Sequence, residues 1–363
     1  MNTVVVGGGV IGLAVAWRAQ QAGLNVTVID PEPASKASHV SAGLLAPGNE
    51  QLYRMEELLR LSLASRALYP TFVAELEEFA PAGYRRDGVL DAAFDEEALA
   101  GLDRQQAFQE DLGISTERLT SEECAKLQPA FGPVLGGLLS PDDGAIDPRV
   151  LTAALLTAID ALGGTVVRQR VVRVDDHSVL LDGGESVAFD RLVLAAGCWT
   201  HQIEGLRKAA VPEIRPVKGQ ILRLHSETPL LNITARARTG ERSLYLVPRL
   251  DGELVVGATY EERGYDDTVT ADGTRELLTR AAQYLPGVGD LELREMSVGL
   301  RPGSPDELPF IGPTNVPDVF LASGHFRIGI QLTPITADIM LSYLTDSAPH
   351  AAAEPFKPSR LMG

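Results

Sequence analysis

The chain has 363 residues, of which 45% are hydrophobic and 22% charged, and its formal net charge is −17. This length suits two domains or one large α/β domain, and the negative charge argues against a nucleic-acid-binding surface or attraction to anionic lipid. The two cysteines, Cys124 and Cys198, lack metal-ligand spacing and are typical of a reducing cytoplasm. The apolar stretch at residues 4–17 lacks a basic flank and is too short to span a bilayer, so we expect a soluble, untargeted protein.

The first thirty residues predict a strand, a glycine turn, a helix and a second strand. Residues 3–6 are apolar or β-branched, as is typical of a central parallel strand. The helix is predicted over residues 10–21, and the returning strand over residues 25–30 ends in Asp30. This order is that of a βαβ unit.

The middle of the chain is rich in helical patterns. Helices are predicted over residues 51–79, 95–113, 120–129 and 143–164. Thr120 begins a Ser/Thr-x-x-Glu capping pattern, and Asp147 stands before Pro148 at a second helix start. Residues 84–94 predict a short strand pair around Gly88.

The second half of the chain is predicted to consist mainly of strands. Strands are predicted within residues 165–200, with a hairpin turn at 183–184, and over residues 216–224, 242–260, 293–303 and 319–322. An amphipathic helix is predicted over residues 272–286 and another helix over residues 334–344. Antiparallel segments therefore lie between βαβ units at the start, middle and end, so each domain should be discontinuous in sequence.

Gly7, Gly9 and Gly12 form a G-x-G-x-x-G pattern between the first strand and the first helix. Gly7 permits the tight turn, Gly9 lets the backbone approach a pyrophosphate, and Gly12 allows close packing of helix on strand. Asp30 would accept hydrogen bonds from a ribose hydroxyl. This context predicts an adenine dinucleotide, against the alternatives of an unliganded glycine turn and a surface acid at the strand end.

The glycine loop does not decide between NAD and FAD. Two features favour FAD. The chain has one such fingerprint, so no second dinucleotide site is evident, and residues 38–47 carry few bulky side chains and can lie against a flat ring.

Seven stretches together carry a resemblance to a known family. In chain order they read VVVGGGVIGLAVA, SAGLLAP, RLVLAAGCWT, PVKGQ, YLVPR…GELVVGAT, GLRPGSPDELPFIG and GHFRIGI. The chain resembles the D-amino acid oxidase family of flavoenzymes, and within it the glycine oxidase branch that serves thiamin biosynthesis. The resemblance covers nearly the whole chain.

The resemblance implies an α/β fold with an FAD-binding Rossmann-like domain and a discontinuous α+β substrate domain built on an antiparallel sheet. The expected FAD-binding domain comprises residues 1–80, 145–212 and 296–363. The expected substrate-binding domain comprises residues 81–144 and 213–295. FAD is expected to be non-covalent, because neither cysteine lies in the C-terminal region where related sarcosine oxidases attach it.

The family pattern also implies which residues bind FAD. At the ADP half and beside the ring it implies Gly7, Gly9, Val10, Ile11, Gly12, Asp30, Pro31, Ser38, Ser41, Ala42, Gly43, Leu44, Val171 and Gly197. Val172 is an alternative to Val171, since the register there can differ by one. At the flavin pyrimidine edge the pattern implies Gly324, His325, Phe326, Arg327, Ile328, Gly329, Ile330 and Gln331. Ile328 stands where the family usually has Asn, and Asp30 where it usually has Glu.

Four residues are candidates for substrate binding: Arg301, Arg327, Tyr245 and Tyr260. A planar guanidinium grips a carboxylate with two parallel hydrogen bonds, so Arg301 and Arg327 suit an amino-acid substrate. The alternatives are a structural salt bridge for Arg301, packing or a loop salt bridge for Arg327, and a core position for Tyr245. Tyr260 replaces an apolar residue of the glycine oxidases, and either its bulk or its hydroxyl would affect selectivity.

The resemblance implies an oxidase that deaminates glycine, sarcosine or small D-amino acids. The flavin would take a hydride from the substrate Cα, O2 would reoxidise it to give H2O2, and the imine would hydrolyse. No side-chain base is expected, and His325 is expected to be a loop residue in a turn that Gly324 and Gly329 enable. The alternatives are a dehydrogenase passing electrons to a quinone, a D-amino acid oxidase with no thiamin role, and a non-catalytic FAD-binding subunit. We expect no nucleic-acid or membrane partner, and a homo-oligomer only by analogy.

Overall fold

The structure is a computed structural model that describes residues 1–49, 55–206, 211–240, 242–348 and 350–361. Its helices are α1 (Val10–Gln21), α2 (Ala37–Val40), α3 (Glu56–Leu76), α4 (Glu96–Asp111), α5 (Ser121–Leu127), α6 (Pro148–Ala161), α7 (Ala271–Tyr284) and α8 (Thr333–Leu344).

The strands of the first half are β1 (Asn2–Val6), β2 (Asn25–Ile29), β3 (Leu44–Leu45), β4 (Tyr84–Arg85), β5 (Val89–Ala93), β6 (Glu117–Thr120), β7 (Gly136–Ser140), β8 (Gly144–Ile146), β9 (Thr165–Val167) and β10 (Val171–Val174). Those of the second half are β11 (Ser178–Leu181), β12 (Ser186–Ala188), β13 (Arg191–Leu194), β14 (Arg215–His225), β15 (Thr234–Thr239), β16 (Arg242–Pro248), β17 (Glu253–Gly257), β18 (Glu292–Gly303), β19 (Phe310–Pro313) and β20 (Val319–Ser323).

The first of two large sheets has six strands in the order β19-β20-β13-β1-β2-β9. All of its neighbouring strands are parallel except β19 and β20. Helices α1, α6 and α8 pack together, and their core includes the fully buried Trp17 and Leu155. A second apolar cluster, which includes Val179 and Phe310, is built from the alternate residues of β1 and β13 and so covers the opposite face. Burial on both faces explains why β1 is a continuous apolar run.

The second large sheet has eight strands in the order β18-β14-β17-β16-β15-β5-β7-β6. Its neighbouring strands are antiparallel except β15 and β5, which run parallel. Helix α7 buries Leu277 and Tyr284 on one face, together with Leu222 and Leu244. The register places Gly219, Gly257 and Tyr245 on the opposite face, which is therefore left for the site.

Most of the predicted elements are present, and the predicted α/β fold class with an added antiparallel sheet is confirmed. Thr120 and Glu123 form the predicted capping box, and the Asp147 carboxylate accepts from the Arg149 backbone N–H at 2.9 Å. The predicted helix at 51–79 is α3, which begins at Glu56, and the first part of that prediction, 51–54, lies outside the described residues.

One prediction of strand position is wrong. β4 and β5 flank Gly88 but do not pair with each other: β4 pairs with β8, whereas β5 joins the large sheet beside β7 and β15. Arg301 lies inside β18, whose bounds agree with the predicted strand over residues 293–303. The Pro302 ring does not interrupt that strand because β18 is the edge strand of its sheet.

The two large sheets take their strands from alternating parts of the chain. We therefore propose the predicted two-domain division, with one change. The predicted boundary between residues 295 and 296 falls inside β18, so we propose to move it to the end of that strand at Gly303. Within the described parts of the chain, no helix has both the length and the apolar character that a membrane span requires.

Candidate active site

A cavity of about 620 Å³ runs from the glycine loop after β1 to the strands that carry Tyr245 and Arg301. The six-stranded sheet contributes the loops at the carboxyl ends of its strands, which is where open α/β sheets bind ligands. The eight-stranded sheet contributes the face opposite α7. We call the end beside the glycine loop the nucleotide end and the end beside Tyr245 and Arg301 the substrate end, after the ligands predicted for each.

At the nucleotide end, the glycine loop is shaped by backbone crowding. Gly7 has a positive φ of 112°, and a Cβ added there would lie 2.3 Å from the Ala195 carbonyl oxygen. A Cβ at Gly12 would lie 2.0 Å from the Gly7 carbonyl oxygen, so α1 packs tightly against its own loop. A Cβ at Gly9 would meet only the Ser38 hydroxyl, at 3.4 Å, so this residue borders open space. The three glycines thus occupy the places that the pattern predicts for the turn, the ligand approach and the packing.

Asp30 and Ser38 hold the loop in this shape. One Asp30 carboxylate oxygen accepts from the Gly8 backbone N–H at 2.7 Å, and the other accepts from the Glu32 backbone N–H at 2.8 Å. The Ser38 hydroxyl accepts from the Val10 backbone N–H at 3.0 Å, at the start of α1. Each carboxylate oxygen has a second lone pair, so Asp30 can still accept from a ribose hydroxyl.

The segment 323–331 closes the middle of the cavity and leads into α8. The Gln331 side chain accepts from the Ala46 backbone N–H at 3.0 Å, and the Gln331 carbonyl accepts from the Ser65 hydroxyl at 2.6 Å. His325 is buried, with its Nε2 3.0 Å from the Thr336 hydroxyl, and burial lowers its pKa to about 3. Burial therefore favours the neutral imidazole, which packs against α8 through Thr336.

The turn in this segment differs from the one predicted. Both Gly324 and Gly329 were expected to enable it, but the positive φ angles are those of Gly324, at 76°, and Phe326, at 49°. The Phe326 backbone N–H donates to the Pro302 carbonyl at 3.0 Å, which ties the turn to the end of β18. Ile328 packs in the apolar core beside α8, so the apolar residue at this position is accommodated by burial.

At the substrate end, Arg301 projects from β18 across β14. Its guanidinium donates to the carbonyls of Lys218 and Thr259, both at 3.2 Å. Gly219 makes room for it, since a Cβ there would lie 2.3 Å from the guanidinium nitrogens. Burial lowers the pKa of Arg301, and the nearby Arg327 lowers it further. Tyr245 acts in the other direction and raises this pKa. Among the described residues, no carboxylate lies within ion-pair distance of Arg301.

Tyr245 lies on β16 directly opposite Gly257 of β17. A Cβ at Gly257 would lie 2.5 Å from the tyrosine ring, so this glycine provides the space that the ring occupies. The Tyr245 hydroxyl lies within reach of the Arg301 side chain and raises its pKa. Tyr245 is therefore not a simple core residue, since it borders the cavity beside the guanidinium.

Arg327 and Tyr260 border the open side of the substrate end. Arg327 is exposed, and its guanidinium carbon lies 5.0 Å from the centre of the Phe326 ring. Tyr260 is 53% exposed, packs edge-on against Phe326 at 6.2 Å between ring centres, and donates to Glu262 at 3.1 Å. Phe326 thus separates and supports both side chains.

The structure brings nearly all predicted site residues to this one cavity. The exceptions are Gly12, which packs α1 against its loop, and Gly324, which packs against Phe310. Val171 and its alternative Val172 both line the cavity.

Sequence reasoning missed the spacer glycines, Gly219 and Gly257, and the lining residues Arg236 and Ser243 of β15 and β16. Glycine inside a strand is a signal of close approach, and it was present at both spacer positions. No comparable signal marked Arg236 or Ser243, because polar residues alternate in any half-buried strand.

The residues at the nucleotide end and in segment 323–331 fit FAD. The N-terminus of α1 directs its partial positive charge toward the space beside Gly9, which suits a pyrophosphate. Ser323 Oγ and Gln331 Nε2 are buried, line the cavity and have no partner among the described residues. A ring bearing donors and acceptors would satisfy such groups.

A family profile described as FAD dependent oxidoreductase, DAO, matches residues 2–343. The chain belongs to this family. Its predicted FAD cofactor and its assignment as an FAD-dependent enzyme of the amino acid oxidase type are thereby confirmed. The chain is 30% identical over 372 residues to a protein named glycine oxidase from Geobacillus kaustophilus, covering all of this chain and 97% of that one.

A solved structure of glycine oxidase from Geobacillus kaustophilus is similar over 99% of both chains, with a TM-score of 0.93 and 30% identity. The chain is also 34% identical over 377 residues to the bifunctional protein ThiO/ThiG of Synechocystis sp., covering 99% of this chain. It spans 54% of that relative, which is about half its length.

Proposed function

We propose that this protein oxidises a small amino acid, namely glycine, sarcosine or a small D-amino acid. The substrate amine is oxidised to an imine, which water converts to a keto acid or glyoxylate and ammonia or an amine. The observation that carries the proposal is the Arg301 guanidinium, which borders the cavity beside Tyr245 with no carboxylate partner among the described residues. A carboxylate-bearing substrate supplies that missing partner.

Arg301, Tyr245 and Arg327 would bind and orient the substrate carboxylate. Arg301 keeps its position through the Lys218 and Thr259 carbonyls, so its remaining N–H groups can form the two-pronged contact with the carboxylate. Tyr260 and Phe326 would form the outer wall and restrict the substrate side chain. Holding the carboxylate fixes the direction of the substrate Cα–H bond.

No dedicated base is needed for this reaction. The described residues that line the substrate end include no Asp, Glu or Lys, and His325 is held neutral against Thr336. The substrate amine must be neutral when it reacts, because its lone pair then assists loss of the Cα hydrogen. The nearby arginines favour the neutral amine, because like charges disfavour its protonated form.

When bound, FAD would supply the two-electron acceptor for the substrate hydride, and O2 would reoxidise it with release of H2O2. Residues 329–331 border the cavity just before α8 begins, and the positive end of that helix would stabilise negative charge there. We propose that FAD is held without a covalent bond. Burial raises the pKa of Cys198 to about 12 and that of Cys124 to about 11, so both thiols stay protonated and inert.

The similarity to glycine oxidase and to ThiO/ThiG supports glycine as one substrate and a role in thiamin biosynthesis. The ThiO/ThiG relative is twofold longer and bifunctional, whereas this chain matches one part of it.

A substrate panel tests the proposal. Purified yellow protein is mixed with glycine, sarcosine, D-alanine, D-proline, L-alanine and L-proline, and H2O2 production is followed. We expect at least one of the achiral or D-amino acids to give H2O2 and to bleach the flavin when oxygen is excluded. Bleaching without oxygen consumption would favour the alternative of a dehydrogenase. If no amino acid bleaches the flavin, the proposed function is wrong.

A further inference from the structure

The Val217–Gln220 segment of β14 contains two buried polar side chains to which the proposed function assigns no role. Side chains alternate along a strand, so Lys218 and Gln220 point to one face and Gly219 to the other. On the Gly219 face lies Arg301. On the other face Lys218 is 0% exposed and Gln220 is 2% exposed, which is unusual for polar side chains of this size.

Lys218 is held by the loop at residues 258–270, between β17 and α7. Its ammonium lies 2.9 Å from the Asp266 carboxylate and 3.9 Å from that of Glu261. The backbones also pair, since the Lys218 N–H donates to the Glu261 carbonyl at 2.9 Å and the Glu261 N–H donates back at 3.0 Å. Because a buried ammonium requires such partners, moving the loop away would leave the charge uncompensated.

Gln220 fastens the two ends of the same loop. Its amide nitrogen donates to Glu261 at 2.7 Å and to the Thr270 hydroxyl at 2.9 Å, while its amide oxygen accepts from the Thr270 backbone N–H at 2.9 Å. The Gln220 backbone N–H donates to the Thr259 hydroxyl at 2.9 Å. Gly273 of α7 leaves the space for this amide, since a Cβ there would lie 2.3 Å from it.

These contacts bear directly on Arg301. Its guanidinium donates to two carbonyls, that of Lys218 and that of Thr259. One belongs to β14, the other to the loop, and Lys218 and Gln220 join the two. Tyr260, at the open side of the cavity, follows Thr259 directly.

We propose that Lys218 and Gln220 are positioning residues for the substrate carboxylate. They clamp the 258–270 loop onto β14 and so fix both acceptors that aim the Arg301 guanidinium. This inference rests on the proposed function, in which Arg301 binds that carboxylate. Lys218 does not touch the substrate, because Gly219 and Arg301 lie on the other face of the strand.

The test uses the FAD-loaded protein and acetate, the simplest carboxylate. Its binding is followed through the change in flavin absorbance, so the result does not depend on turnover. Lys218→Met keeps the length of the side chain but removes its charge, and we expect the dissociation constant of acetate to rise about tenfold. Lys218→Arg should restore it to within about threefold of wild type. Arg275→Met makes the same charge change at an exposed position on α7, away from these contacts, and should bind acetate like wild type.

A purely structural role would give a different result. It would lower the unfolding temperature of Lys218→Met while leaving acetate affinity of the folded protein unchanged, and that outcome overturns the proposal. If Lys218→Met does not fold, Asp266→Asn removes the charge of the partner at a partly exposed position, and unchanged acetate binding in that variant likewise overturns it. Weakened binding in either variant supports it.

The two hypotheses can fail separately. If wild-type protein binds acetate but oxidises no amino acid, the proposed function is wrong while the clamp can still be measured. If Arg301→Ala abolishes acetate binding and Lys218→Met leaves it intact, the clamp is wrong and the carboxylate site stands.

Discussion

The two ends of the cavity are built in different ways. The nucleotide end is made of local segments, since Gly7, Gly9, Asp30 and Ser38 all lie within the first forty residues and act largely through backbone groups. The substrate end combines side chains from β14, β16 and β18 with the 258–270 loop, which are distant in sequence. The first end is suited to a constant cofactor, whereas substitution of single side chains at the second would change its proposed substrate selectivity.

The largest expected effect is at the nucleotide end, with Gly12→Ala. The added Cβ would lie 2.0 Å from the Gly7 carbonyl oxygen, a backbone atom that cannot move without displacing the loop. We expect loss of at least about 3 kcal/mol of stability and a colourless, poorly soluble protein. Visible flavin absorbance and yield of soluble protein measure this.

Gly9→Ala is the matched comparison. Its Cβ would meet only the Ser38 hydroxyl at 3.4 Å, which is an ordinary contact, but it would project into the space proposed for the pyrophosphate. We expect a folded protein with weakened FAD binding. Equal behaviour of the two variants would contradict the separate roles of packing and ligand approach.

The second-largest effect is expected at the substrate end, with Arg301→Ala. Removing a buried charge-assisted contact costs about 2–5 kcal/mol, so kcat/KM for carboxylate substrates should fall by at least about thirtyfold. FAD content should stay at the wild-type level, since no proposed cofactor contact is lost. Steady-state kinetics and flavin absorbance are measured on the same preparation.

Arg275→Ala controls for the loss of an arginine, because Arg275 lies on α7 with its side chain 77% exposed. Wild-type kinetics in Arg301→Ala would show that the carboxylate site has been placed wrongly. Loss of FAD in that variant would contradict the division of the cavity into two functional ends.

The nucleotide end could be predicted from the sequence more completely than the substrate end. The first βαβ unit was predicted nearly to the residue, because glycine spacing, an apolar strand and a helix lie within thirty residues and each signal is local. Arg301 and Tyr245 were identified through resemblance, since nothing in their immediate sequence shows that two strands bring them together.

The wrong predictions have the same physical origin. The strands that flank Gly88 suggested a hairpin, but tertiary packing sends β4 and β5 to different sheets. Gly329 was expected to make the turn after β20, whereas Phe326 takes the positive φ because its backbone is tied to Pro302. The clamp around Lys218 is invisible in the sequence, since its partners are more than forty residues away.

The smallest expected effect concerns the pH dependence of stability at the middle of the cavity. Burial lowers the pKa of His325 to about 3, so the folded protein keeps this imidazole neutral while the unfolded chain takes up a proton below about pH 6.5. The unfolded state then binds more protons, and the stability that is fully present above pH 6.5 is lost as the pH falls toward 3. Burial raises the pKa of Asp143 to about 7, and that carboxyl contributes a slope of opposite sign.

His325→Asn keeps a donor for Thr336 and isolates the histidine contribution from that of Asp143. We expect the stability difference between wild type and His325→Asn to shrink by up to about 1.4 kcal/mol for each pH unit below 6.5, because only wild type carries the buried imidazole. Denaturant unfolding at pH 7.5, about 6 and about 5 measures it, with the exposed His177→Asn as control. A difference that stays constant over this range would mean that the folded protein can protonate His325, and the imidazole would then become available to the chemistry at the neighbouring turn.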